Sequence, residues 1–225
     1  MPMSTALLVL TLDEVDGVRE IMPKIDRNWV DELIIVDGGS TDGTIEMAKE
    51  MGFKVISQKI KGHGGAIMAG VEATNSDIII IFGPDGNHYP EEIPQLIKKI
   101  NEGYDQVMIS RFGKGSINLD ATVIENFGNK MFAFLTNIFF GGHFTDTLNE
   151  SRAITRQAFA DLKFSAFRMN STQQMSIRGL KKRQKIFEIS GNEGERLGGK
   201  KKMNAVPVGA DLSLGIIKEF IFWKY

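Results

Sequence analysis

Short, unbroken apolar runs alternate with amphipathic stretches through the first half of the chain. TALLVLTL (5–12), ELIIVD (32–37), FKVISQ (53–58), DIIIIF (77–82) and YDQVMISR (104–111) each read as a strand. The stretches 14–27, TDGTIEMAKEMG with Gly52 as its stop, HGGAIMAGVEAT (63–74) and 90–102 read as helices between them. Strands apolar on both faces and separated by helices predict a parallel sheet covered on both sides. Right-handed crossovers then make a doubly wound α/β fold. Beyond Arg111 the alternation stops. FGKGSINLDAT reads as a loop, 121–140 as a long Phe-rich helix, ESRAITRQAF as a short strand and turn, 168–180 as a helix and KRQKIFEIS as a strand. GNEGERLGGKKKM is a charged, Gly-rich loop, and DLSLGIIKEFIFWKY an amphipathic helix.

Composition narrows the class without changing this picture. A chain of 225 residues suits one large domain, and 42% hydrophobic with 24% charged residues is ordinary for a globular protein. A net charge of −1 gives no bulk attraction to nucleic acid. With no cysteine there is neither a disulfide framework nor a thiolate metal site. The start, MPMSTALLVLTLDE, has no basic leader, and the apolar MFAFLTNIFFGG falls short of the roughly 20 residues a membrane span needs. The expected location is cytoplasmic. The final helix keeps Leu212, Leu214, Ile216, Ile217, Phe220, Ile221 and Trp223 beside Lys218 and Lys224. Such a helix packs into a core, forms a homodimer contact, or lies as a peripheral anchor at the inner face of a membrane.

In open parallel sheets ligands bind beyond the carboxyl ends of the strands. Five strands here end in polar groups: Asp13-Glu14, Asp37 with GGSTDGT, KGHGGA after the third, Asp85 and Asn87 after the fourth, Ser110-Arg111 after the fifth. In VDGGSTDGT, glycines let a ligand approach the backbone, Ser40, Thr41 or Asp42 can cap the next helix, and Asp37 can accept hydrogen bonds from a nucleoside. The alternative is a capped turn with no ligand. Gly64 and Gly65, with Lys61 nearby, could hold phosphate on free N–H groups or be a bare turn. Neither a P-loop nor a G-x-G-x-x-G fingerprint is present.

Taken in order, VDGGSTDGT, KGHGGA, a strand ending in an Asp motif before PEEIP, and then SR resemble family-2 inverting glycosyltransferases of the GT-A fold. Among these the chain is most similar to dolichyl- or polyprenyl-phosphate sugar transferases. The resemblance is closest over 5–112 and looser to about 203. It implies a single GT-A domain, with 1–112 as the nucleotide-sugar half and 113–225 as the acceptor half carrying the last helix. It also implies an inverting transfer from a UDP- or GDP-linked sugar to a lipid phosphate or a glycan of the cell envelope.

The resemblance implies roles only where residues match. Glu14 matches the second residue of an Asn-Glu pair, and Glu14, Asp37 and Lys61 would line the nucleoside pocket. The family's Asp-x-Asp falls on Gly83-Pro84-Asp85, so its first Asp is missing. Asp85, with Asn87 where many members have Gln, would hold Mg²⁺ or Mn²⁺ against the donor diphosphate. ERLGGKKKM is similar to a segment Arg-x-x-Gly-x-Ser-Lys, in which Arg196, Gly199 and Lys202 match and would close over the diphosphate. Asp146 and Arg152 match the ends of Asp-x-Thr-Ser-Gly-Phe-Arg, with Leu148-Asn149-Glu150 in place of Thr-Ser-Gly. Arg111 and Arg152 would hold an anionic acceptor. A sugar hydroxyl acceptor would need a base, for which Asp146 and Glu150 are candidates. Two rivals are a sugar-nucleotide pyrophosphorylase, which the acidic TLDEVDG argues against, and a non-catalytic sugar-nucleotide-binding protein.

Overall fold

A computed structural model describes residues 2–198 and 205–222. In chain order the elements are β1 (Thr5–Thr11), α1 (Val15–Ile21), β2 (Glu32–Asp37), α2 (Thr44–Glu50), β3 (Lys54–Ser57), α3 (His63–Glu72), β4 (Ile78–Phe82), α4 (Ile93–Asn101) and β5 (Gln106–Ser110). The second half adds α5 (Val123–Phe140), β6 (Arg152–Thr155), α6 (Arg156–Asp161), α7 (Ser171–Lys181), β7 (Ile186–Ser190) and α8 (Ala205–Ile221).

The five strands and four intervening helices of the first half lie where the apolar runs predict, with shorter ends. The α-helix expected over 14–27 stops at Ile21 and continues as a 3₁₀ turn at Met22–Lys24, because Pro23 supplies no backbone N–H. The long helix begins at Val123, where Thr122 accepts the Glu125 N–H and the Glu125 carboxylate returns to the Thr122 N–H, a reciprocal cap. The turn expected after the short strand is instead a helix, α6, capped by the Thr155 hydroxyl.

All seven strands form one sheet in the order β3-β2-β1-β4-β6-β5-β7. β1, β2, β3 and β4 are mutually parallel, as are β5 and β7. β6 departs from the expected pattern, running antiparallel between β4 and β5. Two strands from the second half therefore complete the sheet begun by the first. α1 and α4 bury Val18, Ile21, Ile93, Leu96 and Ile100 on one face. α3, α6 and α7 bury Ile67, Val71, Phe159 and Met175 on the other. Ile78–Phe82 are fully buried, and each large apolar side chain so placed contributes about 1.5–3 kcal/mol. That explains why β4 reads as five consecutive apolar residues.

The direction of β6 shapes the site. Its first residues lie at the same rim as the last residues of β1, β2, β4 and β5. The pairing Ile81↔Arg152, continued by two residues, sets Gly83 opposite Glu150.

Candidate active site

The β1 and β2 ends are tied to each other. Asp13, at a φ of 48°, turns the chain out of β1, a conformation Asp tolerates. Its backbone N–H donates to Ser40 Oγ at 2.8 Å, and its carboxylate accepts the Thr41 N–H at 2.8 Å. The Glu14 N–H donates to Thr44 Oγ1, and the Val15 N–H to Asp42. Asp37 is fully buried, and its two oxygens accept from Thr11 Oγ1, the Gly39 and Ser40 N–H groups and Ser40 Oγ. Without a ligand, the acceptor capacity of Asp37 is taken up by the loop, and the residue shapes the rim. Helix α2 is capped by Gly43 at a positive φ, with Asp42 accepting the Thr44 N–H, rather than by a side chain from Ser40 or Thr41.

The β4 end is held by groups far away in sequence. The carboxylate of Asp85 pairs with Arg196 Nη1 at 2.8 Å, and Arg196 Nη2 also meets Glu14 Oε1. The backbone of 194–197 is strapped to the turn below it: the Leu197 N–H donates to the Asp85 carbonyl at 2.7 Å and the Gly194 N–H to that of Asn87 at 3.0 Å. Asn87 is buried; its Nδ2 donates to Asp120, while its Oδ1 has no hydrogen-bond partner among the described residues. Glu14, Asp85, Asn87 and Arg196 are thus brought together as the motifs anticipate. Lys61 is exposed on the β3–α3 turn. Lys202 and Gly199 lie outside the described residues.

The glycines of KGHGGA serve packing. A Cβ on Gly64 would overlap the carbonyl of Ala166, and one on Gly65 that of Ile60. Both are buried, so the phosphate reading of these two N–H groups gives way to close backbone approach.

Two buried ionic groups stand behind the rim. Arg111 forks onto Asp146, Nε at 2.6 Å and Nη2 at 3.1 Å, and its Nη1 reaches Glu193 at 3.1 Å. Asp146 is fully buried and also accepts the Leu148 and Asn149 N–H groups. Burial opposes its charge, but the Arg111 guanidinium holds it below the usual carboxylate range. Without a ligand, Asp146 is the counter-ion of Arg111. Arg152 is likewise interior: it is 1% exposed and donates to the carbonyls of Asn149 and Thr172. An acceptor held by Arg152, as the sequence suggested, would have to reach this interior position. Burial pulls its guanidinium down to about 10.

The second group sets Glu150, a candidate base in the sequence, between two histidines whose pairing with it was not anticipated. Glu150 accepts from His63 Nε2 at 2.6 Å and lies 3.3 Å from His88 Nε2, while His63 Nδ1 meets Ser171 Oγ at 2.7 Å. Burial opposes charge on Glu150, yet the two imidazoles hold its carboxylate well below the ordinary range. His88 is buried, which disfavours its cation, but Glu150, Asp85 and Glu92 together push it up to about 9. Glu92, buried beneath, is pushed up to about 7. These residues come from the start of α3, the loop after β4, the approach to β6 and the start of α7, so no single stretch of sequence signals them.

Likeness to solved structures places the chain in a fold class. One mycobacterial protein superposes with a TM-score of 0.82 at 18% identity, over 99% of this chain and 76% of that one. Glucosyl-3-phosphoglycerate synthase from Mycobacterium tuberculosis superposes with a TM-score of 0.77 at 21% identity, over 99% of this chain and 80% of that one. The fold is that of the GT-A glycosyltransferases. The model of glycosyl transferase family 2 matches residues 25–163, and the chain belongs to that family. Curated relatives include a dolichyl-phosphate hexose transferase of Haloferax volcanii, 29% identical over 95% of this chain and 92% of its own length. Another is a UDP-N-acetylglucosamine–dolichyl-phosphate N-acetylglucosaminyltransferase of Methanococcus voltae, 26% identical over 81% and 82%. Family membership makes glycosyl transfer the activity and sets aside the non-catalytic binding protein.

Proposed function

We propose that this chain transfers a sugar, with inversion, from a UDP- or GDP-linked donor to a polyprenyl or dolichyl phosphate, with a divalent cation at the donor diphosphate. The observation that carries this reading is the end of β4. There a partly exposed carboxylate, Asp85, has a side-chain cation as its partner, beside a buried amide oxygen of Asn87 that nothing described satisfies. These hard oxygen donors fit Mg²⁺ or Mn²⁺, which keep waters and phosphate oxygens as remaining ligands. No cluster of three or more His, Cys, Asp or Glu suited to a metal occurs among the described residues, so the ion would complete its shell from the donor. Such an ion neutralises charge on the departing diphosphate. The mycobacterial synthase was solved with Mn²⁺ and UDP, which supports the same choice here.

The chain's own residues supply the rest. Glu14 borders the nucleoside side, with Lys61 exposed on the neighbouring turn. Arg196 spans Glu14 and Asp85; exchanging one contact for a phosphate oxygen would put its charge on the leaving group. Lys202, eleven residues or fewer from the same strapped segment, would add to that charge. Arg111, paired with both Asp146 and Glu193, holds the layer beneath the rim in place, and would meet an anionic acceptor only by giving up one of these carboxylates. A phosphate acceptor, with a second pKa of about 6, is anionic at neutral pH and needs no base. That suits a rim where Asp146 is locked to Arg111.

The lipid reading has a second support. Helix α8 buries Leu212 and Ile216 against α5 and α7, and Arg178 pairs with Glu219 at 2.8 Å to anchor it. The outward faces of α5 and α8 leave Phe127, Phe134, Ile138, Leu214, Ile217 and Phe220 exposed. Trp223, counted with this face in the sequence, lies outside the described residues. No described helix is long and apolar enough to cross a membrane. The exposed face would instead rest on a membrane surface at the cytoplasmic side, with a homodimer as the competing outcome.

Thermal-shift titration with UDP and GDP, each with and without Mn²⁺, tests the donor site, since ligands of the folded state raise its melting temperature. One nucleotide should stabilise the wild type only with the metal, and Asp85→Ala should abolish the shift. A full metal-dependent shift in Asp85→Ala would overturn the assignment. Labelled sugar from that donor should then pass to a short-chain polyprenyl phosphate in detergent.

A further inference from the structure

We propose that Glu150 is the carboxylate that replaces the one absent at position 83, delivered into the same space from the opposite strand, and that it joins Asp85 in holding the cation-bearing end of the donor. The inference rests on the donor-site reading above and extends it to a residue outside the Asp85 motif.

The geometry is specific. β4 and β6 are antiparallel, and their register, Ile81↔Arg152, continues to Gly83 opposite Glu150. Directly opposed side chains in an antiparallel pair occupy neighbouring space on one face of the sheet. A Cβ at Gly83 would overlap Glu150 Oε1 outright, with Glu150 Cδ at 3.1 Å and His88 Cδ2 at 3.4 Å. The Glu150 carboxylate therefore fills the volume a residue-83 side chain would use. The resemblance implies the same exchange, setting the family's first Asp on Gly83 and the family's Gly before Phe-Arg on Glu150.

Glu150 is also held as a ligand group should be. Ser171 Oγ lies 2.7 Å from His63 Nδ1, which turns the Nε2 of that ring onto Glu150 Oε2 at 2.6 Å. His88 Nε2 approaches Oε1 at 3.3 Å. A carboxylate reaching in on a long side chain needs such fixing, and outer groups that orient ligands commonly matter 10- to 100-fold for metal affinity. The Glu150 side chain keeps 22% exposure, so it is fixed without being sealed off. In the Asp85 turn the buried Asn87 Oδ1 has no partner among the described residues and is an oxygen available to an ion at Asp85.

The test compares E150Q, G83D, E150G and the double variant G83D/E150G. Mn²⁺ binding is read from the electron paramagnetic resonance signal of the free ion, with UDP and then GDP present, and ligand-free melting is read separately. E150Q should melt lower, since it removes the charge facing His63 and His88, and in the folded protein its Mn²⁺ dissociation constant should rise about tenfold or more. G83D alone should melt lower, because its side chain meets Glu150. The double variant should recover both the melting temperature and Mn²⁺ affinity that G83D and E150G respectively lose. Unchanged Mn²⁺ affinity in E150Q, or a double variant that binds no better than E150G, would overturn the proposal while leaving the Asp85 site standing. Wild-type melting in G83D would likewise overturn it, by refuting the shared space. A wild type that binds no Mn²⁺ with either nucleotide would remove the cation reading and this proposal together.

Discussion

The ends of β2 and β4 look alike in sequence, each a buried apolar strand running into Gly, Asp and Asn or Ser, yet they hold their carboxylates by opposite means. Asp37 is satisfied by backbone N–H groups and hydroxyls of its own loop and of β1, all fixed by the chain path. Asp85 takes one backbone N–H, from Asn87, and otherwise a guanidinium from more than a hundred residues away. The first arrangement has nothing left to give a ligand. The second can trade a mobile cation for another cation without disturbing the fold. A dense polar motif thus marks a site only where its charges are balanced by groups that can leave.

Exchanging the two aspartates for asparagine tests this division most severely. Asp85→Asn should lower the rate of nucleoside diphosphate release from the donor by about a hundredfold to a thousandfold, the scale for losing one electrostatic contact to developing charge. Its urea unfolding should hardly move. Asp37→Asn should do the reverse. An amide there cannot accept from every donor that now converges on Asp37, and leaving buried donors unmet costs about 2 kcal/mol. Urea unfolding should show that loss, with donor affinity of the folded protein kept in order of magnitude. Loss of nucleotide binding with full stability in Asp37→Asn would erase the contrast.

Glu92 sharpens the contrast from another side, being a buried carboxylate with too few donors of either kind. Burial raises it to about 7; the His88 charge and the Asn192 and Tyr89 backbone amides pull it down, and Glu91 pushes it up. Its folded value lies above the ordinary carboxylate value of 4.5. Its contribution to stability is therefore present at low pH and lost as pH climbs through about 7. One proton gives a slope of at most about 1.4 kcal/mol per pH unit. Chemical unfolding of the wild type and Glu92→Gln between those pH values should show this slope in the first and not in the second.

The parallel strands were legible because burial on both faces writes itself as runs such as Ile78–Phe82. The short strand in ESRAITRQAF is β6, but its direction was not legible, since a single antiparallel strand inside a parallel sheet has no local signature. At the site, Glu14, Asp85, Asn87 and Arg196 could be anticipated because each sits in its own motif. What residue type alone did not convey is that Asp37, Asp146 and Arg152 are buried and spend their hydrogen bonds on neighbours. The His63–Glu150–His88 chain was hidden for a third reason. Its members come from the start of α3, the loop after β4 and the approach to β6, and meet only in the folded chain, which residue spacing does not reveal.

Arg196→Ala is the mildest test and the most direct one of whether the cation over Asp85 is removable. Arg196 has 17% side-chain exposure and its contacts run to two carboxylates, so partial solvent screening limits what they contribute. The loss of stability should stay under about 1 kcal/mol, in the range of a solvent-reached ion pair. Two opposed effects then meet at the donor site. Asp85 and Glu14 lose their internal counter-charge, which favours a metal ion, while the leaving diphosphate loses a guanidinium. Mn²⁺ affinity without nucleotide should therefore rise slightly as turnover falls. If stability drops instead by several kcal/mol and Mn²⁺ affinity does not rise, Arg196 is as fixed as the loop around Asp37, and the two rims are alike after all.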